Sequence, residues 1–478
     1  MTILTFKEIL RRALSSTFFL IFCLTAANGQ TESKWLKTPL PESYPADSFI
    51  QQKLPIEEQW WNSFNDPLLD SLINVAMKNN YDLLIASNRI RQAKAAMMSA
   101  YGGLLPSFAL SAGWERSRSS ENMSSMTMAT NPYASYFSGA VSMNWEIDLF
   151  GSIWQKARSQ KDLYRASKAD YNGTMVSVAA SLGSAYINLR TTQKLLEVTS
   201  SNIASQKEIL RITEARYDAG LSSKLDVTQA KATYYNTRAA IAKYETAEGT
   251  YINSIALLLG VLPSEITEML KQSPLLPNPD RLVPVSVPAQ LLRQRPDVRA
   301  AEYQVSSQAA LVGAARADWF PSFFLTGEIG VASHDMDQLF KKPSMVWQIA
   351  PVMKWTIFNG GQRAMAVSSA KAALESSVNN YNLTVLTALQ EVDNAIISYK
   401  FSVKETVELT TAVQEAKNSL ELSVELYKMG LAAFINVVNS QQSLLSYQTS
   451  LVNSQGNTLL NLVRLYQALG GGWDMAVE

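Results

Sequence analysis

The stretch RYDAGLSSKLDV at 216–227 determines the fold of this chain, because LYKMGLAAFINV at 426–437 repeats its pattern. Gly220 and Gly430 lie 210 residues apart. Each has a tyrosine three residues before it and a leucine directly after it. Glycine is favoured just after a helix end, where the backbone adopts a left-handed conformation. We therefore predict a helix–turn–helix tip at each of these two places.

The repeat extends far beyond the two tips. The offset of 210 also pairs Trp145 with Trp355, Gly151 with Gly361, Tyr171 with Tyr381, Ala185 with Ala395 and Gly260 with Gly470. Upstream the offset becomes 215, and it pairs Asp82 with Asp297, Ala100 with Ala315 and Pro106 with Pro321. Chance similarity would not keep register over such a length, so the sequence predicts an internal duplication. We assign the first repeat to 59–262, a proline-rich linker to 263–289 and the second repeat to 290–478.

Each repeat contains two segments in which apolar and polar residues alternate, as in a strand with one apolar face. These segments are 107–115, 137–148, 322–331 and 347–357. About 9–11 residues are enough for a tilted strand to cross a membrane. Tryptophans lie towards the strand ends, as in the aromatic girdles of membrane barrels. They are Trp114, Trp145, Trp347 and Trp355.

A soluble sandwich would show the same alternation, so the pattern alone leaves both structures open. We place the strands in two hairpins, at 106–149 and 321–358. Four strands do not close a barrel, and unpaired strand edges are not stable in lipid. If the hairpins lie in a membrane, neighbouring protomers must therefore complete the barrel.

Most of the remaining chain is predicted to be helical. Residues 152–217 contain no proline, and their 66 residues correspond to roughly 100 Å of helix. Residues 362–427 match them in the second repeat. Shorter helical segments are predicted at 66–101, 226–258, about 290–318 and 436–468. Two short helices stacked end to end would match one long helix, although a plain coiled-coil spacer is a simpler alternative.

The N-terminus, residues 1–29, has the pattern of a secretion signal. Basic residues precede an apolar run at 13–24 that is too short to span a bilayer as a helix. Small residues at Ala27 and Gly29 predict cleavage before Gln30, leaving a periplasmic tail at 30–58. A buried helix of the mature fold is the alternative.

The few reactive side chains exclude several function classes. Cys23 is the only cysteine and His334 the only histidine. Nucleophilic sites need a placed imidazole, and zinc sites usually need several cysteines or histidines. We therefore expect no enzyme activity, no metal and no cofactor. The charges also balance, with 42 Lys+Arg against 41 Asp+Glu, so nothing favours nucleic-acid binding.

Two long segments resemble a known family. QWWNSFNDPLLDSLINVAMKNNYDLLIASNRIRQAKA (59–95) and LLRQRPDVRAAEYQVSSQAALVGAARADWFPSFFLTGEIG (291–330) are similar to the outer-membrane factors of tripartite efflux pumps. More narrowly, they resemble the OprM/NodT branch of the TolC family. WEIDLFG at 145–151 and the tip at 216–227 belong to the same pattern, and the resemblance covers about residues 55–473.

The resemblance implies an α+β membrane protein that forms a homotrimer. Four strands per protomer would give a twelve-stranded outer-membrane β-barrel, continuous with a long α-helical barrel in the periplasm. It implies a passive conduit for small-molecule export, embedded in outer-membrane lipid. A periplasmic adaptor and an inner-membrane pump, commonly of the resistance-nodulation-division type, would feed it.

Two other functions share part of this pattern. A type I protein secretion duct would have the same form, because the inner-membrane pump selects the cargo. A structural envelope spacer without a lumen is an alternative of another class. The polar strand faces argue against the spacer, since a solid barrel core favours apolar residues inside.

The sequence departs from its relatives at the N-terminus. Many relatives are lipoproteins, whose acylated cysteine follows small residues. Cys23 is the candidate lipidation site here, but Phe22 precedes it. We therefore predict a mature chain without an acyl group.

The two tips are the predicted periplasmic gate and adaptor contact. The candidate residues are Tyr217, Gly220, Asp226, Tyr427, Gly430, Asn436 and Asn439. Relatives often have aspartates just after the second tip, where this chain has Asn436 and Asn439. Asp226 would then supply the main acidic ring, because like charges around a narrow lumen concentrate cations. Ordinary helix caps and solvated turns would explain the same residues without a gate.

Overall fold

The computed structural model describes residues 35–36, 59–118, 120, 133–271, 276–277 and 294–471. The predicted signal segment with Cys23, nearly all of the tail and most of the proline-rich linker lie outside these ranges. In the part of the chain that is described, none of the helices has a stretch both long and apolar enough to cross a lipid bilayer.

In the described residues, both repeats contain a helix, two strands, a long helix and a return helix in the same order, and the first repeat has an additional helix before them. A short 3-10 turn (Trp60–Phe64) comes first. The first repeat then has α1 (Pro67–Asn79), α2 (Tyr81–Gly102), β1 (Ser107–Arg118), β2 (Tyr133–Ile147), α3 (Ser152–Asp218) and α4 (Lys224–Leu259). After α5 (Pro263–Lys271), the second repeat has α6 (Pro296–Ala317), β3 (Ser322–Ser333), β4 (Met345–Lys354), α7 (Gln362–Lys428) and α8 (Phe434–Ala468). The long helices α3 and α7 have 67 residues each, or about 100 Å.

The first short helical segment differs from its prediction as one helix over 66–101. It divides at Asn80, whose backbone is extended. Its side-chain oxygen accepts hydrogen bonds from the backbone N–H groups of Asp82 (2.9 Å) and Leu83 (3.2 Å), and so begins α2. Its side-chain amide donates to the carbonyl oxygen of Leu258 (2.8 Å) at the end of α4. The break therefore joins two stacked helices. The linker also differs from an irregular segment, since its first nine residues form α5.

The four strands form one antiparallel sheet in chain order, and their register separates two faces. One row across the sheet consists of Leu110, Val141, Ile329 and Trp347. The next row, on the opposite face, consists of Ala109, Ser142, Glu328 and Gln348. The apolar row is exposed, with Leu110 at 80% and Trp347 at 72% of their full exposure. The outer edges of β1 and β4 have no strand partner among the described residues.

The register corrects one tryptophan of the predicted girdle. Trp347 pairs with Ile329 and lies in the same middle row as Leu110, four residues along β1 from Trp114. Trp347 lies near the start of β4, but β4 is short and begins close to the middle row of the sheet. A position near this strand end is therefore not a position near a membrane surface. The other end of the sheet agrees better with a girdle. There the indole N–H groups of Trp145 and Trp355 donate to the carbonyl oxygens of Leu104 (2.9 Å) and Trp319 (3.1 Å).

The long helices hold the short ones together. Helix α3 packs against α2, α4, α6 and α8, whereas α7 packs mainly against α6 and α8. Consequently α3 buries twenty-five residues and α7 only eight, although their lengths are equal. The largest core cluster lies around Trp60, whose ring stacks on Tyr466 at 5.3 Å between centroids. Gly183 of α3 lies under this ring, since a Cβ there would be 3.3 Å from it.

Candidate functional site

Both tips have the same turn geometry. Gly220 has φ +73° and Gly430 has φ +77°, in the region that residues with a Cβ rarely adopt. The N–H of Leu221 donates to the carbonyl oxygen of Arg216 (2.8 Å), and the N–H of Leu431 donates to that of Leu426 (2.9 Å). Each turn therefore closes its long helix with the bond expected of a glycine-capped end. The predicted duplication of the tips is visible in the backbone itself.

The apolar side chains of the two turns are open to solvent. Leu221, Met429 and Leu431 are each about two-thirds exposed or more, at 66%, 67% and 72%. Apolar side chains that cluster in solvent are typical of a surface that contacts another protein. Both turns therefore expose apolar side chains at the ends of the long helices.

The two predicted tyrosines have different environments. Tyr217 is 43% exposed, whereas Tyr427 is only 6% exposed. The ring of Tyr427 packs on Phe434, with centroids 5.1 Å apart, and the guanidinium of Arg216 lies 4.9 Å above it. Only the second tyrosine therefore holds the two tips together.

Arg216 connects the first tip to the second. Its Nη1 donates to the carbonyl oxygen of Lys428 at 2.7 Å, at the end of α7. Cations near a helix C-terminus stabilise the exposed carbonyl groups and the negative end of the dipole. The side chain is half-buried, and it ties the last turn of α7 to α3. We name the contacts among Arg216, Ser222, Asp226 and Tyr427 the tip clamp.

Asp226 belongs to this clamp. Its carboxylate accepts a hydrogen bond from the Ser222 hydroxyl at 2.8 Å, and that hydroxyl lies 3.1 Å from the phenol of Tyr427. Its backbone N–H donates to Ser223 Oγ, which caps the first turn of α4. Beyond the acidic ring that the sequence predicts, the structure gives Asp226 a hydrogen-bonding role between the tips.

The two asparagines lie in the first turns of α8. Asn436 and Asn439 are exposed and three residues apart, so they share one face at the start of α8. Asn439 also lines an open groove of about 410 Å³ between α7 and α8, together with Glu415, Ser419 and Tyr447. Among the predicted site residues, the structure links Asp226 and Tyr427 through the Ser222 hydroxyl.

Sequence reasoning missed Arg216 and Ser222 as site residues. The equivalents of these two residues, 210 positions later, are Leu426 and Ala432. Polar residues present in only one copy of a repeat were the available signal. Each has a partner in the other repeat, Lys428 for Arg216 and Tyr427 for Ser222, and no local pattern reports a contact over 200 residues of chain.

A second polar site lies where α6 and α8 meet. Arg295 is buried, and its Nη1 donates to the carbonyl oxygen of Ala468 at 2.5 Å. Its Nη2 contacts the carboxylates of Asp297 (2.8 Å) and Glu391 (2.7 Å). Burial lowers the pKa of this guanidinium, but the hydrogen bonds to the two carboxylates outweigh it and leave the pKa raised. This contact is the counterpart of the Asn80 contact in the first repeat, so a polar side chain joins the stacked helices in both copies.

The fold defines a class of protein. A sheet with one exposed apolar face and two open edges, continuous with helices about 100 Å long, forms one part of a barrel and of a helical tunnel. The chain belongs to the outer membrane efflux protein family, whose model matches residues 72–261 and 287–471.

Individual relatives agree with this assignment. The chain is 32% identical over 414 residues to the solvent efflux pump outer membrane protein SrpC of Pseudomonas putida, covering 86% of this chain and 87% of that one. It is 27% identical over 436 residues to nodulation protein T of Rhizobium leguminosarum bv. trifolii, covering 91% and 92%. The predicted membership of the OprM/NodT branch is therefore confirmed.

Solved structures have the same fold. The outer-membrane channel OprN matches with a TM-score of 0.86 and 29% identity, over 91% of this chain and 98% of that one. The Campylobacter jejuni CmeC outer membrane channel matches with a TM-score of 0.83 over 95% of each chain; its 24% identity supports the fold alone. The predicted fold class, the outer-membrane location with a periplasmic tunnel and the efflux channel function are confirmed. The gate residues stay a prediction.

Proposed function

We propose that this protein is the homotrimeric outer-membrane duct of a tripartite efflux pump, a passive conduit that its partners open at the tips. The single observation that carries this proposal is the sheet. Its apolar face is exposed, and its two edges lack partners within the described chain. In lipid those edges must be paired. Three sheets of four strands pair them all and leave the polar rows facing a lumen.

The names of the relatives support a small-molecule cargo and a partner pump. SrpC is named as part of a solvent efflux pump, which supports export of small molecules. The exposed leucines of the tips, Leu221 and Leu431, would contact a periplasmic adaptor. An inner-membrane pump of the resistance-nodulation-division type would then supply energy and select the cargo. The chain itself supplies the path.

The proposal is tested by the mass and the activity of the purified protein. Light scattering with a detergent correction should give three chains per particle. Planar bilayers should show discrete conductance steps. The open lifetime of these steps should increase when the purified adaptor is added. A monomer that stays inserted in lipid would contradict the architecture, and a trimer that never conducts with its adaptor would contradict the conduit.

Divalent cations provide a prediction about the entrance. We expect weak block of conductance by divalent cations, because Asn436 and Asn439 carry no charge. Asn436→Asp combined with Asn439→Asp adds six carboxylates in a trimer, and these should lower the blocking concentration about tenfold or more. Asp226→Asn should weaken the remaining block. Bilayer conductance titrated with magnesium measures both effects.

The control for this prediction is Ser450→Asp, which adds charge at an exposed position of α8 about three turns beyond Asn439. It should leave the block unchanged. If the double aspartate variant is blocked no more strongly than the parent, these residues do not line the narrow entrance.

A further inference from the structure

The junction between the sheet and the helices is an apolar belt. Its exposed side chains lie in the connections between strands and helices and in the first turn of α3. They are Leu149, Phe150, Trp154, Trp319, Phe320, Ile357 and Phe358, each 45–86% exposed. The rings of Phe150 and Phe320 stack with centroids 4.6 Å apart, so the belt includes both repeats. With the apolar face of the sheet in lipid, this belt marks the periplasmic boundary of the membrane.

Below this belt, one side of α3 has a row of basic residues. They follow Trp154 at steps of three or four residues, so they share one side of the helix. We name them the basic stripe: Arg158, Lys161, Arg165 and Lys168. Their equivalents in the second repeat, 210 positions later, have charges that cancel and are Ser368, Lys371, Glu375 and Val378. The stripe is therefore a feature of the first repeat that the second repeat lacks.

The basic stripe lies on the outer side of the tunnel wall. Five turns of helix take about 18 residues, so Arg165 lies on the same side of α3 as Gly183. Trp60 covers that side, since a Cβ on Gly183 would be 3.3 Å from its ring. The opposite side of α3, at Thr174 and Ser181, lines a concave groove to which α2, α6, α7 and α8 also contribute. The concave side of a tunnel wall faces the lumen, so the stripe faces outward into the periplasm.

The two cations farther from the belt are engaged within the chain. Nη1 of Arg165 lies 3.1 Å from the carboxylate of Asp162. The ammonium of Lys168 lies 5.2 Å from the centre of the Tyr164 ring. These contacts compete with any ligand for the lower half of the stripe.

The two cations nearer to the belt, Arg158 and Lys161, are available to a ligand. Both are exposed, and neither has an ion pair or a side-chain hydrogen bond among the described residues. They follow Trp154 by four and seven residues, which corresponds to about 6 and 10 Å along the helix. Side chains of a helix lean towards its N-terminus, and the N-terminus of α3 lies at the belt. Both cations therefore reach towards the membrane boundary, within about one Debye length of 8–10 Å.

We propose that Arg158 and Lys161 bind the phosphate of an anionic phospholipid in the periplasmic leaflet of the outer membrane, with Trp154 against its acyl chain. Guanidinium and ammonium groups both bind phosphate, and tryptophan favours the level of the headgroups. The ring of Trp154 is positioned by Tyr101, which meets it edge-on with centroids 5.9 Å apart. The site lies within one chain, so it rests on the outer-membrane location and not on the number of protomers.

The carboxylates of peptidoglycan would also complement a basic surface that faces the periplasm. The position of the available cations favours lipid, because Arg158 and Lys161 lie beside the apolar belt. A contact with the cell wall farther from the membrane would use Arg165 and Lys168, which already have partners within the chain.

Native mass spectrometry of the purified protein in detergent tests this site. The protein is titrated with phosphatidylglycerol or with phosphatidylethanolamine that has the same acyl chains. Each Lys or Arg near an anionic surface strengthens binding about fivefold, so one phosphatidylglycerol per chain should bind roughly tenfold or more tightly than phosphatidylethanolamine. Arg158→Gln with Lys161→Gln should abolish this preference. The particle mass in the same spectra gives the number of chains, so a failure of the proposed trimer is detected separately.

The matched control is Lys371→Gln, the same substitution at the position equivalent to Lys161 in the second repeat. Lys161→Gln should weaken the binding of phosphatidylglycerol about fivefold, and Lys371→Gln should leave it unchanged. Unaltered migration of both variants on gels of unheated samples shows that they are folded. Equal binding of the two lipids by the parent, or an equal loss in the two lysine variants, would overturn the site.

Two further measurements separate the lipid from other anions. An excess of glycerol phosphate should not displace phosphatidylglycerol, because it lacks the acyl chain that contacts Trp154; displacement would overturn lipid as the ligand. Purified peptidoglycan sacculi should bind the parent and the Arg158→Gln, Lys161→Gln variant equally. If the variant loses binding to sacculi but keeps the lipid preference of the parent, the stripe recognises the cell wall and the proposal is wrong.

Discussion

Leu110→Arg should prevent stable insertion of this protein, whereas Ser111→Arg, one residue further on, should insert normally. Leu110 lies in the middle apolar row of the sheet, between the rows of Phe108 and Ala112. An arginine facing lipid at the middle of a barrel costs about 2–4 kcal/mol, and a trimer carries three copies. Ser111 belongs to the opposite face, where an arginine would meet water in the lumen.

The two variants are compared by refolding from urea into lipid vesicles. The folded fraction is measured on gels of unheated samples, as the share of protein in the band that migrates differently from the heated, unfolded protein. Each variant introduces one arginine, at neighbouring positions of β1, so the two variants have the same total charge. Total charge therefore does not explain a difference in folding between them. Equal folding of the two variants would contradict the assignment of the apolar face to lipid.

The assignment of faces illustrates how much the sequence determines. Alternation with period two predicts which residues share a face, because successive side chains of a strand point in opposite directions. It does not predict register between strands. For this reason the alternation alone assigns Trp347 to the girdle, whereas pairing with Ile329 places it in the middle row.

Duplication is the strongest signal in this sequence, and it also limits what the sequence shows. Tyr217 and Tyr427 are equivalent by pattern, yet only Tyr427 is buried. The difference comes from Arg216 and Phe434, which lie beside one tyrosine and not the other. Likewise, nothing except a capping residue marks the break at Asn80 within a continuous helical pattern. Contacts made across the repeats therefore need the structure.

Loss of the tip clamp should open the channel. Replacing Arg216 by serine removes its hydrogen bond to the Lys428 carbonyl and its contact with the Tyr427 ring. A hydrogen bond from a charged donor is worth about 1.5 kcal/mol at the low end, which suits a half-buried side chain. That value corresponds to roughly a tenfold shift per protomer between clamped and released tips. Adding Tyr427→Phe removes the contact with Ser222 as well.

We expect the double variant to show a severalfold larger mean conductance in planar bilayers without any adaptor, because all three tips are then released. Arg211→Ser is the matched control, since Arg211 lies on the same helix and, within the described residues, forms its ion pair with Glu208 on the exposed surface. Exposed pairs of this kind contribute about 0–1 kcal/mol, so its conductance should equal that of the parent. A double variant that conducts no more than Arg211→Ser would show that the clamp does not hold the entrance closed.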